Sequence, residues 1–81
     1  MLLNKRIPLR IKTKAELIIS KLSTTSYASL GGKRLMLREN GMVRISFPVT
    51  HNYRLICLFD GSCCHPKELL THEAYNKQYC L

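Results

Sequence analysis

The chain has 81 residues and carries 13 Lys and Arg against five Asp and Glu, giving a net charge of +8, with 46% hydrophobic residues. This length suits one small domain over residues 1–81, and the hydrophobic fraction excludes a wholly disordered chain. The excess of positive charge favours a polyanionic partner, either nucleic acid or an acidic protein, over a generally basic surface.

No apolar run approaches the roughly 18 residues that a membrane-spanning helix needs. Residues 1–6, MLLNKR, lack the hydrophobic block and cleavage site of a signal peptide. We therefore expect a soluble, cytoplasmic protein without membrane contacts.

The first regular element predicted is a short helix. Residues 1–11 contain Pro8, which favours a lead-in or an edge strand there. Thr13 and Glu16 have the spacing of a capping box, so we expect the helix to begin at that point. Apolar residues at helical spacing over residues 14–22 predict one buried stripe, which packs against a sheet.

The rest of the chain predicts a strand meander. Asn40-Gly41 indicates a tight turn after a basic strand candidate at residues 32–38. Two runs of β-branched and aromatic residues, at 42–49 and 53–59, then flank a three-residue polar step, which is typical of a hairpin.

A weaker strand at residues 63–70 contains Pro66, which favours an edge position or a bulge. Thr71 can cap a short closing helix or turn. Helix followed by strands predicts an α+β fold: an N-terminal helix on an antiparallel sheet of three to four strands, with a short C-terminal helix or turn.

Two arginines, Arg44 and Arg54, lie in the central hairpin among apolar neighbours. If both side chains share one face of the sheet, they repel each other unless an anion lies between them, and guanidinium matches phosphate geometry. The alternative is that each reaches solvent. His72 and Tyr75 stand at i, i+3, so they share one side of a helical turn and can transfer protons or stack on a base. The alternative for this pair is a surface histidine and a packed aromatic ring.

The cysteines do not have the spacing of a zinc site, because no pair of C-x2–4-C motifs is present. Nothing in the local sequence marks an activated thiol nucleophile either. In a cytoplasmic protein we expect free thiols, and no metal or other cofactor. The four cysteines are Cys57, Cys63, Cys64 and Cys80.

Four short segments follow one another in a recognisable order. They are GKRL at 32–35, VRI at 43–45, NYRLI at 52–56 and THEAYN at 71–76. This order resembles the RelE/ParE superfamily of bacterial toxins, most closely the ParE-like and HigB-like branches. In those toxins a basic step leads into an R-I/V strand, a Y-R-L/I strand follows, and an H-E-x-Y element closes the domain. The resemblance covers residues 31–77.

The resemblance implies the toxin of a type II toxin–antitoxin pair. In the RelE-like branch the activity is cleavage of mRNA in the ribosomal A site without a metal ion. By position, Arg54 matches the arginine that binds the scissile phosphate, and Tyr75 matches the tyrosine that acts at the 2′-hydroxyl. The resemblance therefore gives catalytic candidates and RNA-contact candidates: Arg54, Arg44, His72 and Tyr75 for the first, and Lys33, Arg34 and Arg38 for the second.

Two alternatives to RNA cleavage stay open. The ParE branch shares the scaffold and acts by binding DNA gyrase, and a chain this short can also be a non-catalytic basic nucleic-acid-binding module or an inactive toxin remnant. The expected partners are a cognate antitoxin, acidic or amphipathic in character, and either RNA on the ribosome or gyrase. The oligomeric state is left open.

Overall fold

The computed structural model describes residues 7–79, with only the backbone described at Met36, Leu37, Glu39 and Tyr79. The elements are, in chain order, α1 (Leu9–Lys21), a 3-10 turn (Ala28–Leu30), β1 (Lys33–Glu39), β2 (Met42–Thr50), β3 (Tyr53–Phe59), β4 (Cys64–Thr71) and α2 (His72–Tyr79). The strands form one antiparallel sheet in the order β1-β2-β3-β4. The predicted α+β fold is confirmed, with four strands.

The start of α1 differs from the prediction. The helix begins at Leu9, directly after Pro8, so residues 9–11 are helical and not an edge strand. A proline fixes φ near the helical value and has no N–H, so a helix can begin at once behind it. Thr13 lies inside the helix, where its hydroxyl donates to the Leu9 carbonyl oxygen at 3.0 Å. The capping box was therefore a wrong prediction. Residues 1–6 of the predicted lead-in lie outside the described residues.

The core lies between α1 and one face of the sheet, here called the α1 face. Ile11 and Ala15 of α1 are buried, and Ile18 and Ile19 pack beside them, which confirms the predicted stripe. Side chains alternate along a strand, so every second residue of β2 and β3 reaches this core. The sheet residues in it are Ile45, Phe47, Leu55, Cys57 and Leu69.

The opposite side of the sheet, here called the α2 face, takes the other half of each strand. Paired residues of neighbouring strands share a face, and the pairs on this side are Arg44 with Leu58, Ser46 with Ile56, and Pro48 with Arg54. Ser46 and Ile56, at its centre, are fully buried.

The turns follow the sequence signals. Asn40 and Gly41 both have positive φ, of 51° and 79°, as the predicted tight turn between β1 and β2 requires.

In β4 the register shifts between its pairs with Ile56 and Cys57, which leaves Lys67 as an extra residue beside Pro66. Pro66 predicted an edge position or a bulge, and β4 has both.

Gly32, just before β1, has a packing role. A Cβ built on it would lie 2.7 Å from Phe47 Cε1 and 2.9 Å from Ile45 Cγ2, both core atoms. It would also lie 2.8 Å from the carbonyl oxygen of Tyr27. The glycine of the GKRL segment therefore lets the chain pass close to the core.

Within residues 7–79, no helix is long and apolar enough to cross a membrane.

Candidate functional site

Arg54 lies on the α2 face, in the third strand of four. Its partners across the sheet are Pro48 on β2 and Leu70 on β4, and its side chain is half-buried. The register of β2 and β3 shifts between Pro48 and Thr50, so Val49 is an extra residue directly beside the Arg54 pair. Such bulges increase the local twist and redirect side chains, and they are frequent next to active sites.

Tyr75 of α2 lies against Arg54. The guanidinium carbon of Arg54 is 4.7 Å from the centre of the Tyr75 ring, and Tyr75 is 7% exposed. This is a cation–π contact, worth about 0.5–2 kcal/mol depending on how dry it is. The structure thus brings together the two residues that the resemblance connects, one from β3 and one from α2.

Two hydrogen bonds, both donated by backbone N–H groups, place α2 where Tyr75 can reach Arg54. The N–H of Ala74 donates to the Thr71 hydroxyl at 3.1 Å, which confirms the predicted cap. The N–H of His72 donates to the carbonyl oxygen of Asn52 at 2.7 Å and fastens the first residue of α2 to the β2–β3 turn. The short helix is therefore held at the same end of the sheet as Arg54.

His72 is exposed, in contrast to Tyr75. Its position at i, i+3 from Tyr75 puts the two side chains on one side of α2. Of the three candidate side chains, Tyr75 is buried, Arg54 is half-buried and His72 is exposed to solvent.

Arg44 shares the α2 face with Arg54, but the two stand apart along the strands. Arg54 pairs with Pro48, four residues from Arg44 on β2, a stagger of about 13 Å at 3.3 Å per residue. The buried Ser46 and Ile56 lie between them. Lys33 pairs with Ser46 and so joins this face from β1. The α2 face thus carries these three cations and also Glu68, which pairs with Ile56 from β4.

The other two basic candidates lie elsewhere. Arg34 pairs with Ile45, and Arg38 pairs with Val43. The side chains of Ile45 and Val43 point to the α1 face, so Arg34 and Arg38 belong to that face as well. Both arginines line a cleft of about 260 Å³ together with Phe59 and other residues at that end of the sheet. Arg34 and Arg38 are therefore separated from Arg54 by the thickness of the sheet.

One cleft was missed at the level of sequence. It has a volume of about 230 Å³ and lies between the first half of α1 and the β2–β3 turn. Its basic residues, Arg10 and Lys14, are four apart in α1 and share one side of that helix. The spacing of the two cations could have indicated this cleft. It was not recognised because residues 1–11 were predicted as a lead-in or an edge strand, and in neither do residues 10 and 14 share one side of a helix.

The cysteines lie away from Arg54. Cys57 is buried in the core, and burial, with the neighbouring Cys64, raises the pKa of its thiol to about 12. Burial also raises the pKa of Cys64, and the charges of Asp60 and Cys63 add to that effect. A raised pKa disfavours the reactive thiolate. Cys80 lies outside the described residues.

In the described part of the chain, the three cysteines are free thiols and no group of three or more His, Cys, Asp and Glu side chains is placed to hold a metal ion. A cluster of polar contacts lies at the β3–β4 turn. There the Asp60 carboxylate accepts from the N–H groups of Ser62 and Cys63, each at 2.8 Å, and contacts His65 Nε2 at 2.9 Å. The Cys63 N–H, the His65 ring and the Ser62 N–H hold the pKa of Asp60 well below its usual range.

Comparison with known protein families gives a match over most of the chain. The family model of the ParE-like toxin domain matches residues 9–77, from the first residue of α1 into α2. The chain belongs to the ParE-like toxin family. Neither the curated proteins nor the solved structures give a match.

A ParE-like toxin is one half of a toxin–antitoxin system, so a cognate antitoxin is its partner. The net charge of +8 suits an acidic antitoxin segment, since an opposite charge favours association. The match includes the whole of β3, with Arg54, and the first six residues of α2, with Tyr75.

Proposed function

We propose that this ParE-like toxin is a metal-independent endoribonuclease that cleaves mRNA on the ribosome, with Arg54 as its phosphate-binding residue. The observation that carries the proposal is the contact of Arg54 with Tyr75, 4.7 Å from guanidinium carbon to ring centre. Two separate chain segments, β3 and α2, thus bring a guanidinium and a tyrosine together, and the RelE-type reaction requires a cation and a hydroxyl group.

The reaction needs three contributions from the protein: a proton acceptor, a proton donor and cations. The 2′-oxygen of a ribose attacks the adjacent phosphorus, the bond from phosphorus to the 5′-oxygen breaks, and the products end in a 2′,3′-cyclic phosphate and a 5′-hydroxyl. One group accepts the proton of the 2′-hydroxyl, another donates a proton to the departing 5′-oxygen, and cations stabilise the charge that develops on the phosphoryl oxygens.

Arg54 suits the charge-stabilising role. Its guanidinium is always charged and presents parallel N–H groups to a phosphate, and the Tyr75 ring behind it limits its freedom. Arg44 and Lys33 are further along the same face and would contact neighbouring phosphates of the strand. His72 and the Tyr75 hydroxyl are the two proton-transfer groups, and exposure at His72 allows its imidazole to reach the substrate.

The second candidate is a toxin that inhibits DNA gyrase by binding. The burial of Tyr75, at 7% exposure, favours it, because a ring this enclosed can serve as a support for Arg54 without touching substrate. On that account Arg54 binds an acidic group on the target protein, and no bond is broken.

Induced expression in bacterial cells separates the two. Wild type, Arg54→Ala, Tyr75→Phe and the control Lys77→Ala are compared for growth, with translation and gyrase supercoiling measured in parallel. Lys77 is an exposed cation on the same helix as Tyr75, and its contact with Glu73 is also exposed. The nuclease predicts a translation block that Arg54→Ala and Tyr75→Phe relieve and Lys77→Ala does not. A block in supercoiling with translation initially intact would support the gyrase account.

A further inference from the structure

We propose that the cleft between α1 and the β2–β3 turn is a second phosphate-binding site, which holds the backbone of the RNA strand that also contacts Arg54. This inference rests on the proposed function for the identity of its ligand. The cleft lies on the α1 face, on the other side of the sheet from Arg54, and is lined by Arg10, Ile11, Lys14, Thr50, His51, Asn52 and Tyr53.

The charge of the cleft points to an anion. Arg10 and Lys14 are both exposed and stand at i, i+4 in α1, where two like charges destabilise a helix. The residues that line the cleft include no carboxylate. A phosphate between the two side chains turns this repulsion into two charge-assisted hydrogen bonds.

The wall of the cleft suits a nucleotide better than a carboxylate. Tyr53 contributes a half-buried aromatic ring, and His51 contributes a second ring at the exposed tip of the turn. Cations that follow a backbone, next to rings that a base can stack on, are the usual features of single-strand binding. Asn52 adds an exposed amide that can donate to a phosphate or a sugar.

The turn that forms the cleft is held in place by fixed contacts. The N–H of Asn52 donates to the Thr50 hydroxyl at 3.3 Å, and the Asn52 carbonyl oxygen accepts from the N–H of His72 at 2.7 Å. The backbone of the turn is therefore held from both sides, while the His51 and Asn52 side chains remain exposed. A site with fixed geometry loses less freedom when a ligand binds.

The same turn connects the cleft to the first site. Tyr53 faces α1, and the next residue, Arg54, faces the opposite side of the sheet. His72 is fastened to Asn52 and stands at the same edge. A strand of RNA that passes over this end of the sheet, past His51, would contact Arg10 and Lys14 on one face and Arg54 on the other.

The binding test uses fluorescein-labelled single-stranded RNA of about 12 nucleotides, a length within the site sizes of single-strand binders. The RNA carries 2′-O-methyl groups, which remove the attacking hydroxyl, so binding is measured without cleavage. Anisotropy titrations are run between about 50 and 200 mM salt. The cleft variant is Arg10→Gln/Lys14→Gln. The matched control is Lys12→Gln/Lys21→Gln. It also removes two positive charges from α1, but at positions that do not line the cleft.

The cleft variant is expected to bind this RNA about fivefold or more weakly. The slope of log K against log salt should be flatter by about 0.7 for each phosphate that the variant no longer neutralises. The control variant should change affinity less than half as much. Thermal unfolding of both variants by circular dichroism shows that α1 is intact. Equal losses of affinity in the two variants, no loss in either, or no binding by wild type at the lowest salt would overturn the proposal.

Two further measurements distinguish RNA binding by the cleft from the nuclease activity and from binding of an acidic protein. Cleavage of the unmodified RNA is measured for wild type and Arg54→Ala. If wild type cleaves no RNA but the cleft variant still loses binding selectively, the nuclease proposal is wrong and the cleft remains an RNA-binding site. A labelled oligoglutamate peptide replaces the RNA in the last arm. If the cleft variant weakens only the peptide, the cleft contacts an acidic protein and the inference is wrong.

Discussion

The guanidinium carbon of Arg54 lies 4.7 Å from the centre of the Tyr75 ring, and this contact joins the third strand of the sheet to the closing helix. The ring limits where the guanidinium can point, and the guanidinium covers a face of the ring. The contact therefore stabilises the packing of α2 on the sheet, and it also orients the Arg54 guanidinium in the candidate site. Substitutions at Tyr75 can separate the two.

Tyr75→Ala should lower the free energy of unfolding by about 3 kcal/mol, because it removes a buried ring and leaves a cavity beside Arg54. Tyr75→Phe keeps the ring and its contact with the guanidinium, so it should cost no more than about 1.5 kcal/mol. Urea denaturation followed by circular dichroism measures both. A loss on Tyr75→Phe as large as that on Tyr75→Ala would show that the hydroxyl, and not the ring, holds α2 in place.

Gly32→Ala should destabilise the protein by about 1–3 kcal/mol, since its Cβ would meet Phe47 at 2.7 Å and Ile45 at 2.9 Å. Gly41→Asn is the contrasting variant. No atom lies within 4 Å of a Cβ at Gly41, its φ is +79°, and asparagine tolerates that conformation. It should cost less than about 1 kcal/mol. Equal losses from the two variants in urea titrations would contradict the packing role given to Gly32.

Stability should depend on pH through Asp60. Its pKa in the folded protein lies below the ordinary value of 3.8, so the unfolded chain takes up a proton first as pH falls. The stabilisation is complete above the unfolded pKa and is lost as pH drops through the folded one. Urea midpoints measured between about pH 6 and pH 2 should therefore fall more steeply for wild type than for Asp60→Asn. Parallel curves for the two proteins would rule out this role for the carboxylate.

The thiols should react in order of exposure. Cys63 is exposed, whereas Cys57 is buried with a pKa raised to about 12. Iodoacetamide at neutral pH should alkylate Cys63 in the folded protein and reach Cys57 only after denaturation. Peptide mapping by mass spectrometry reports each site separately. Rapid labelling of Cys57 under native conditions would mean that the sheet opens near β4.

Much of the fold could be predicted from local signals. Asn40-Gly41 and the two β-branched runs that follow it set the meander, because tight turns and alternation act over a few residues. The bulge near Pro66 followed from the missing N–H of proline. The start of α1 could not be predicted, because Pro8 is equally compatible with an extended lead-in and with the residue before a helix.

The candidate site was predictable in part. The sequence left open whether Arg44 and Arg54 share one face. The structure puts both on the α2 face, and their stagger along the strands depends on the register between β2 and β3. The sequence also grouped Lys33 with Arg34, whereas alternation sends neighbouring residues of a strand to opposite faces. The contact of Arg54 with Tyr75 depends on how α2 folds back over the sheet, and no local pattern encodes that.

On the proposed function, Arg54 binds the phosphate at which RNA is cut. The most direct measurement is cleavage of a ribosome-bound mRNA by the purified toxin, with mass spectrometry of the product ends. Wild type and Lys77→Ala are expected to produce fragments ending in a 2′,3′-cyclic phosphate, while Arg54→Ala loses at least about 100-fold in rate, as the removal of a transition-state contact does. Arg54→Lys should recover only a part of that loss, because lysine lacks the paired N–H groups of arginine. Fragments produced equally by wild type and a folded Arg54→Ala, or no fragments from wild type, would show that Arg54 does not bind the phosphate of an RNA-cleavage reaction.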